Sequence, residues 1–158
     1  MKKILLALSA MAALCAAGGA FAQTGGNMID QEQLLVSQIQ TDKRAVVLKS
    51  MNLTDQEVAV FTRIYDEYQA EMKQHYTRGS ELLNKYASNY DSMTDAAAKD
   101  LLKDVFEQRE ERTDTLKKYA KKMAGKLPAT KVLRFVQIEN KLNALLDWQA
   151  AQVIPLVR

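Results

Sequence analysis

The chain has 158 residues, 47% of them hydrophobic and 26% charged, with 22 basic and 19 acidic residues, one histidine and one cysteine. That length is enough for one hydrophobic core, and a single cysteine excludes an internal disulfide framework. The near-balanced charge argues against a nucleic-acid binder, which needs a basic stripe; six glycines and two prolines leave little to interrupt helices.

The amino terminus carries an export pattern. Lys2 and Lys3 form a positive segment, Ile4 to Leu14 an apolar one, and Ala20-Phe21-Ala22 places small residues at both recognition positions of a cleavage site. Residues 1–22 are therefore expected to be a signal peptide, with 23–158 as one all-helical, exported, periplasmic domain. The apolar segment is shorter than the roughly 18 to 20 residues that span a bilayer, so no membrane insertion is expected after cleavage. Lipidation at Cys15 is not expected, because the bulky Leu14 precedes it where lipoprotein processing favours a small residue. Cleavage removes Lys2, Lys3 and Cys15, which lowers the net charge from +3 to +1 and leaves no cysteine.

Helices are expected over about 28–50, 55–89, 94–124 and 129–150, joined by short connections that favour antiparallel neighbours. The breaks are announced by an apolar residue followed by a capping one: Leu53-Thr54, Met93-Thr94 and, with proline, Leu127-Pro128. Thr54 and Glu57 have the spacing of a capping box, and Pro128 suits a first helical turn. The second and third helices are long, so the expected fold is all-α: an elongated long-helix hairpin with two flanking shorter helices.

In the second helix, Val58, Phe61, Tyr65, Tyr68, Met72, His75, Gly79, Leu82 and Tyr86 form one stripe at helical spacing. The third repeats it with Ala98, Leu102, Val105, Arg109, Arg112, Leu116, Tyr119 and Met123. Folding the pair back near Asp91 sets His75 against Glu107 as a polar pair, with Arg109 over a tyrosine face. Ile64, Tyr76, Leu83, Tyr90, Leu101 and Phe106 lie just off these stripes and are the candidate patch for a client or partner. The fourth helix is apolar around more than one face. Phe135, Val136, Leu142, Leu145 and Trp148 form a core or dimer face, which Glu139, Asn140 and Asn143 interrupt. The Lys117, Lys118, Lys121, Lys122 run reads as cations complementing a helix C-terminus.

Catalytic and metal chemistry find few residues to use. One histidine without a cysteine in the mature chain falls short of a zinc site, and the methionines have no paired spacing. There is no glycine-rich phosphate loop, and the carboxylates read as solvated helix faces. No enzyme activity and no cofactor are expected.

The start Leu53-Thr54-Asp55-Gln56-Glu57 and its echo Leu127-Pro128-Ala129-Thr130-Lys131 resemble the paired Leu-Thr-x-x-Gln motifs of the Spy/CpxP family of periplasmic chaperones and stress regulators. Glu57 stands where that pattern has Gln, and Pro128 and Lys131 depart from the second copy. The resemblance implies a thin antiparallel homodimer whose concave face holds unfolding clients without ATP. Two other readings stand beside it: a non-enzymatic structural or regulatory protein docking on one envelope partner, and a metal-responsive helical sensor.

Overall fold

The computed structural model describes residues 42–157, and all regular structure among them is helical. The expected signal peptide and residues 28–41 of the expected first helix lie outside the described residues. We label the described helices α1 (42–51), α2 (Asp55–Asn89), α3 (Asp95–Ala124) and α4 (Ala129–Val153), with a 3-10 turn, Tyr90–Ser92, between α2 and α3. No helix among the described residues is long and apolar enough to cross a membrane.

Local chemistry sets each boundary. Helix α1 stops at Asn52, whose φ of 53° lies in the left-handed region that asparagine tolerates better than most side chains. Thr54 then caps α2: its hydroxyl accepts from the Glu57 amide at 3.4 Å, and its own amide donates to Glu57 Oε2 at 2.8 Å. Thr94 caps α3 in the same way, accepting from the Ala97 amide at 3.2 Å. Gly125 closes α3 after a last turn holding Lys121 and Lys122, where positive charge complements the helix dipole.

Pro128 occupies the cap position of α4, one residue before the helical turn in which the sequence suggests it. Its ψ of 143° is extended, and its carbonyl receives the amides of Lys131 and Val132 at 2.9 and 3.2 Å. Helix α4 also runs three residues beyond the expected 150. It ends where Pro155 forces Ile154 out of the helical region, at φ −86° and ψ 112°.

The helices run antiparallel in chain order. Helix α2 has 35 residues, about 52 Å at 1.5 Å per residue. At one end of the bundle, Phe61, Tyr65 and Tyr68 of α2 surround Phe135 of α4. Phe135 stands edge-on to Tyr65 and Tyr68 with ring centroids 6.1 and 5.4 Å away. Tyr119 of α3 meets Tyr68 edge-on at 5.6 Å. Val47 and Met51 of α1, Met72, Met123 and Leu127 close the cluster. Edge-on aromatic pairs add roughly 0.5–1.5 kcal/mol beyond the area they bury.

Over the first two-thirds of α3 the seam is rotated by about one residue from the expected stripe: Leu101, Gln108 and Thr115 are buried, whereas Leu102 and Arg109 are exposed. Tyr119 and Met123 are buried as the stripe expects. The cause is that two seam positions are polar. Gln108 Nε2 donates to the His75 carbonyl at 3.2 Å, and Thr115 Oγ1 lies 2.9 Å from His75 Nε2. A stripe anchored on Leu102 and Val105 and continued at helical spacing therefore drifts onto Arg109, next to the true seam position Gln108.

Candidate functional site

The most unusual interior feature is an ion pair. Glu139 of α4 is completely buried, and its Oε2 accepts from Lys43 Nζ of α1 at 2.7 Å and from the Tyr68 hydroxyl at 2.8 Å. Its other oxygen takes the Tyr65 hydroxyl at 3.3 Å, while Lys43 Nζ also donates to the Tyr76 hydroxyl at 3.1 Å. Three helices thus meet at one carboxylate. Burial works against the Lys43 ammonium, but the adjacent Glu139 carboxylate and the Tyr76 hydroxyl outweigh it and hold the pKa above the ordinary lysine value. Burial, together with the Glu139 charge, pushes the Tyr65 and Tyr68 hydroxyls far above the usual tyrosine range. Such a carboxylate, fully enclosed and supplied with donors, cannot reach a substrate unless the helices part. The geometry makes it a latch.

His75 lies on the half-buried α2–α3 seam, but its partner is not Glu107. Nε2 faces Thr115, and Nδ1 is 3.9 Å from Glu111. Glu107 sits one turn further along and pairs with Arg78 at 3.4 Å, because the 3-10 turn carries the reversal beyond Asp91 and shifts the register. Arg109 is exposed; among the described residues the cations over tyrosine rings are Lys43, Lys118 and Lys122.

Beside His75 is an open depression lined by Glu67, Ala70, Glu71, Gln74 and Tyr119. Its carboxylates are already engaged: Glu71 accepts from Lys118 at 2.6 Å, Tyr119 at 3.0 Å and Thr115 at 3.2 Å, and Glu67 pairs with Lys122. The Lys118 hydrogen bond, with that from Tyr119, holds Glu71 below the usual carboxylate range. Burial and the bond to Glu71 push Tyr119 up to about 12. No group of three or more His, Cys, Asp or Glu among the described residues is arranged to hold a metal ion.

The outer surface is more suggestive. Phe106 is 61% exposed, Leu102 58% and Trp148 64%, and Leu83, Leu133 and Leu145 are exposed as well. Of the six residues expected to form a client or partner patch, Leu83 and Phe106 are on the surface. Ile64 and Leu101 are in the interior, a correction that follows from α2 being packed on several sides and from the rotated seam. Tyr76 is half-buried and tied to Lys43; Tyr90 is half-buried beside Tyr86, their rings 5.8 Å apart.

The α4 residues divide along the helix. Phe135 is buried, Val136 and Leu142 pack partly against the core, and Leu145 and Trp148 face outward. Of the family-motif positions, Thr54 and Glu57 form the capping box, Leu53 packs against the core and Leu127 is buried within it, and Pro128 caps α4. Glu57 is also 3.7 Å from Lys131, the residue that departs from the second motif copy.

Sequence reasoning missed Lys43 altogether and treated Glu139 only as one of three polar interruptions. The signal available was spacing: Glu139 follows Phe135 by four and precedes Leu142 by three, so it belongs to the buried stripe. Asn140 is exposed and Asn143 half-buried. Compared with known proteins, the chain matches no family model, no curated protein and no solved structure.

Proposed function

We propose that this protein is an exported, periplasmic, non-enzymatic binding protein of the Spy/CpxP type that holds partly unfolded polypeptides without ATP. The observation that carries the reading is surplus apolar surface. The core is filled by Phe61, Tyr65, Tyr68, Phe135 and their neighbours, yet Leu83, Leu102, Phe106, Leu145 and Trp148 remain outside among charges of both signs. Scattered apolar side chains within a charged surface suit weak capture of many unfolded segments, because apolar contacts need no fixed geometry. The outward half of α4 also offers Leu145 and Trp148 as a homodimer face.

The test is light scattering of an aggregating, chemically unfolded client with and without the chain, in plain and chelated buffer. Suppression at equimolar to several-fold excess that survives chelation is the expected outcome; its absence would reject this reading. A second reading is favoured by the exposure of Leu145 and Trp148 on α4 and of Leu156 and Val157 in the segment after it: docking on one specific envelope partner. That protein would show no general suppression and would instead capture one protein from envelope extracts.

A further inference from the structure

After α4, Ile154 to Val157 form an extended tail rather than more helix. It crosses the far end of α2, where the Tyr86 hydroxyl donates to the Pro155 carbonyl at 2.6 Å. Between them lies an apolar groove of about 280 Å³. Leu83, Tyr86, Ala87 and Tyr90 form one wall, and Ile154 and Pro155 the other. A tyrosine hydroxyl donating to a carbonyl beside a proline, next to a second aromatic ring, is the chemistry by which aromatic grooves receive extended proline-containing segments.

The tail satisfies this chemistry incompletely. Its carbonyl is held and Ile154 and Pro155 line the groove, but Leu156 is 88% exposed and Val157 55%, so the outer half of the tail leaves its apolar surface in water. An incoming segment with the same backbone and a better-placed apolar side chain would keep the Tyr86 bond and also bury surface that the tail leaves in water. We propose that the tail is a weak self-ligand of the Tyr86–Tyr90 groove, and that the occupant it excludes is an extended apolar, proline-containing segment of a partly unfolded polypeptide. This rests on the binding reading above and names the class of segment bound at one place.

Tethering sets the expected size of the effect. A short tether holds its ligand at an effective concentration on the order of 1 mM, so a peptide binding at about 0.2 mM would gain roughly fivefold when the tail is removed. The probe is a fluorescein-labelled peptide of residues 152–158, Gln-Val-Ile-Pro-Leu-Val-Arg, followed by anisotropy. The proteins are the unaltered chain, a chain ending at Val153, and the full-length Pro155→Ala variant. The last restores an amide and lets α4 continue, which lifts the tail from the groove without shortening the protein.

Both altered chains should bind the peptide about fivefold more tightly, and adding Tyr86→Phe to either should weaken binding again. Equal affinity across all three chains would overturn the proposal, as would equal binding of a control peptide with alanine for proline. Light scattering on the same chains separates this inference from the one beneath it. Suppression of client aggregation with no gain in peptide affinity would remove the self-ligand and leave the function. A gain in affinity with no suppression would leave the groove and remove the general chaperone reading.

Discussion

The two ends of the bundle are built on different principles. At the end where α1 meets α2, rings and methionines interlock around a buried ion pair, and Phe61, Tyr65, Tyr68 and Phe135 are sealed from solvent. Toward the far end, Leu101 is the one large apolar side chain among the described residues that is buried, and the helices are joined by exposed pairs. Arg78 meets Glu111 at 2.7 Å, and Lys85 meets Asp104 at 2.8 Å. Exposed ion pairs contribute little stability, whereas packed aromatic interiors contribute much. Stability therefore concentrates at one end, and the surface that could yield to a partner at the other, as local-stability arguments expect of binding regions.

The largest effect should come from breaking the latch. Glu139→Ala leaves Lys43 and two tyrosine hydroxyls buried without their acceptor and should cost about 3–5 kcal/mol in urea unfolding. The paired replacement Lys43→Met with Glu139→Leu should recover most of that loss. If the double variant is as unstable as the single one, an uncompensated buried charge is not the cause. Phe135→Ala should cost about 3–5 kcal/mol through the cavity it opens. A loss under 1 kcal/mol would mean the aromatic cluster is not the centre of stability.

Extremes of pH should distinguish the two ends. Lys43 has a raised folded pKa, so its contribution is complete below the ordinary lysine value of 10.5 and is lost as pH rises through the folded value. Glu71 and Asp104, lowered chiefly by hydrogen bonds from Lys118 and Lys85, behave oppositely: their contribution is present above the ordinary values of 4.5 and 3.8 and disappears as pH falls through the folded ones. Hydrogen exchange should accordingly show acid loosening the α2–α3 ion pairs before the latch, whereas strong alkali releases the latch together with Lys85, whose pKa its hydrogen bond to Asp104 also raises. Simultaneous loss of both ends in acid would contradict the division.

Smaller effects sharpen the same contrast. Thr54→Ala removes one hydroxyl from the α2 cap and should lower stability by about 1 kcal/mol. Phe106→Ser and Trp148→Ser, on the exposed surface, should change unfolding by no more than about 0.5 kcal/mol while reducing suppression of client aggregation. If they destabilise as strongly as Phe135→Ala, those rings belong to the interior.

The helical class, the long α2 and α3, and the breaks at Thr54, Thr94 and Pro128 were legible because local chemistry determines them. A capping hydroxyl or a proline acts on its own turn, wherever the rest of the chain lies. The register of the seam was not legible, since it depends on Gln108 and Thr115 finding His75 across the hairpin. Apolar periodicity cannot show a polar contact of that kind. The latch was hidden for a related reason: Lys43 and Glu139 are 96 residues apart, and although Glu139 lies on the buried stripe, nothing local names Lys43 as its partner. Leu83 and Phe106 were placed on the surface correctly, whereas Ile64 and Leu101 show that an off-stripe position on a helix packed from several sides can still be interior.

The corner at Asn52 has a consequence for the order of assembly. Lys131 donates to the Asn52 carbonyl and Arg134 to the Ser50 carbonyl at 2.5 Å, so the end of α1 is clamped by side chains 79 and 84 residues downstream. The α2–α3 hairpin closes a short loop and can form early, and the Arg44–Asp66 pair can join α1 to α2, whereas the carbonyl end of α1 is not clamped until α4 exists to hold it. In a chain that emerges from its amino terminus, this corner is fixed only after α4, and the aromatic interior stays open until Phe135 arrives.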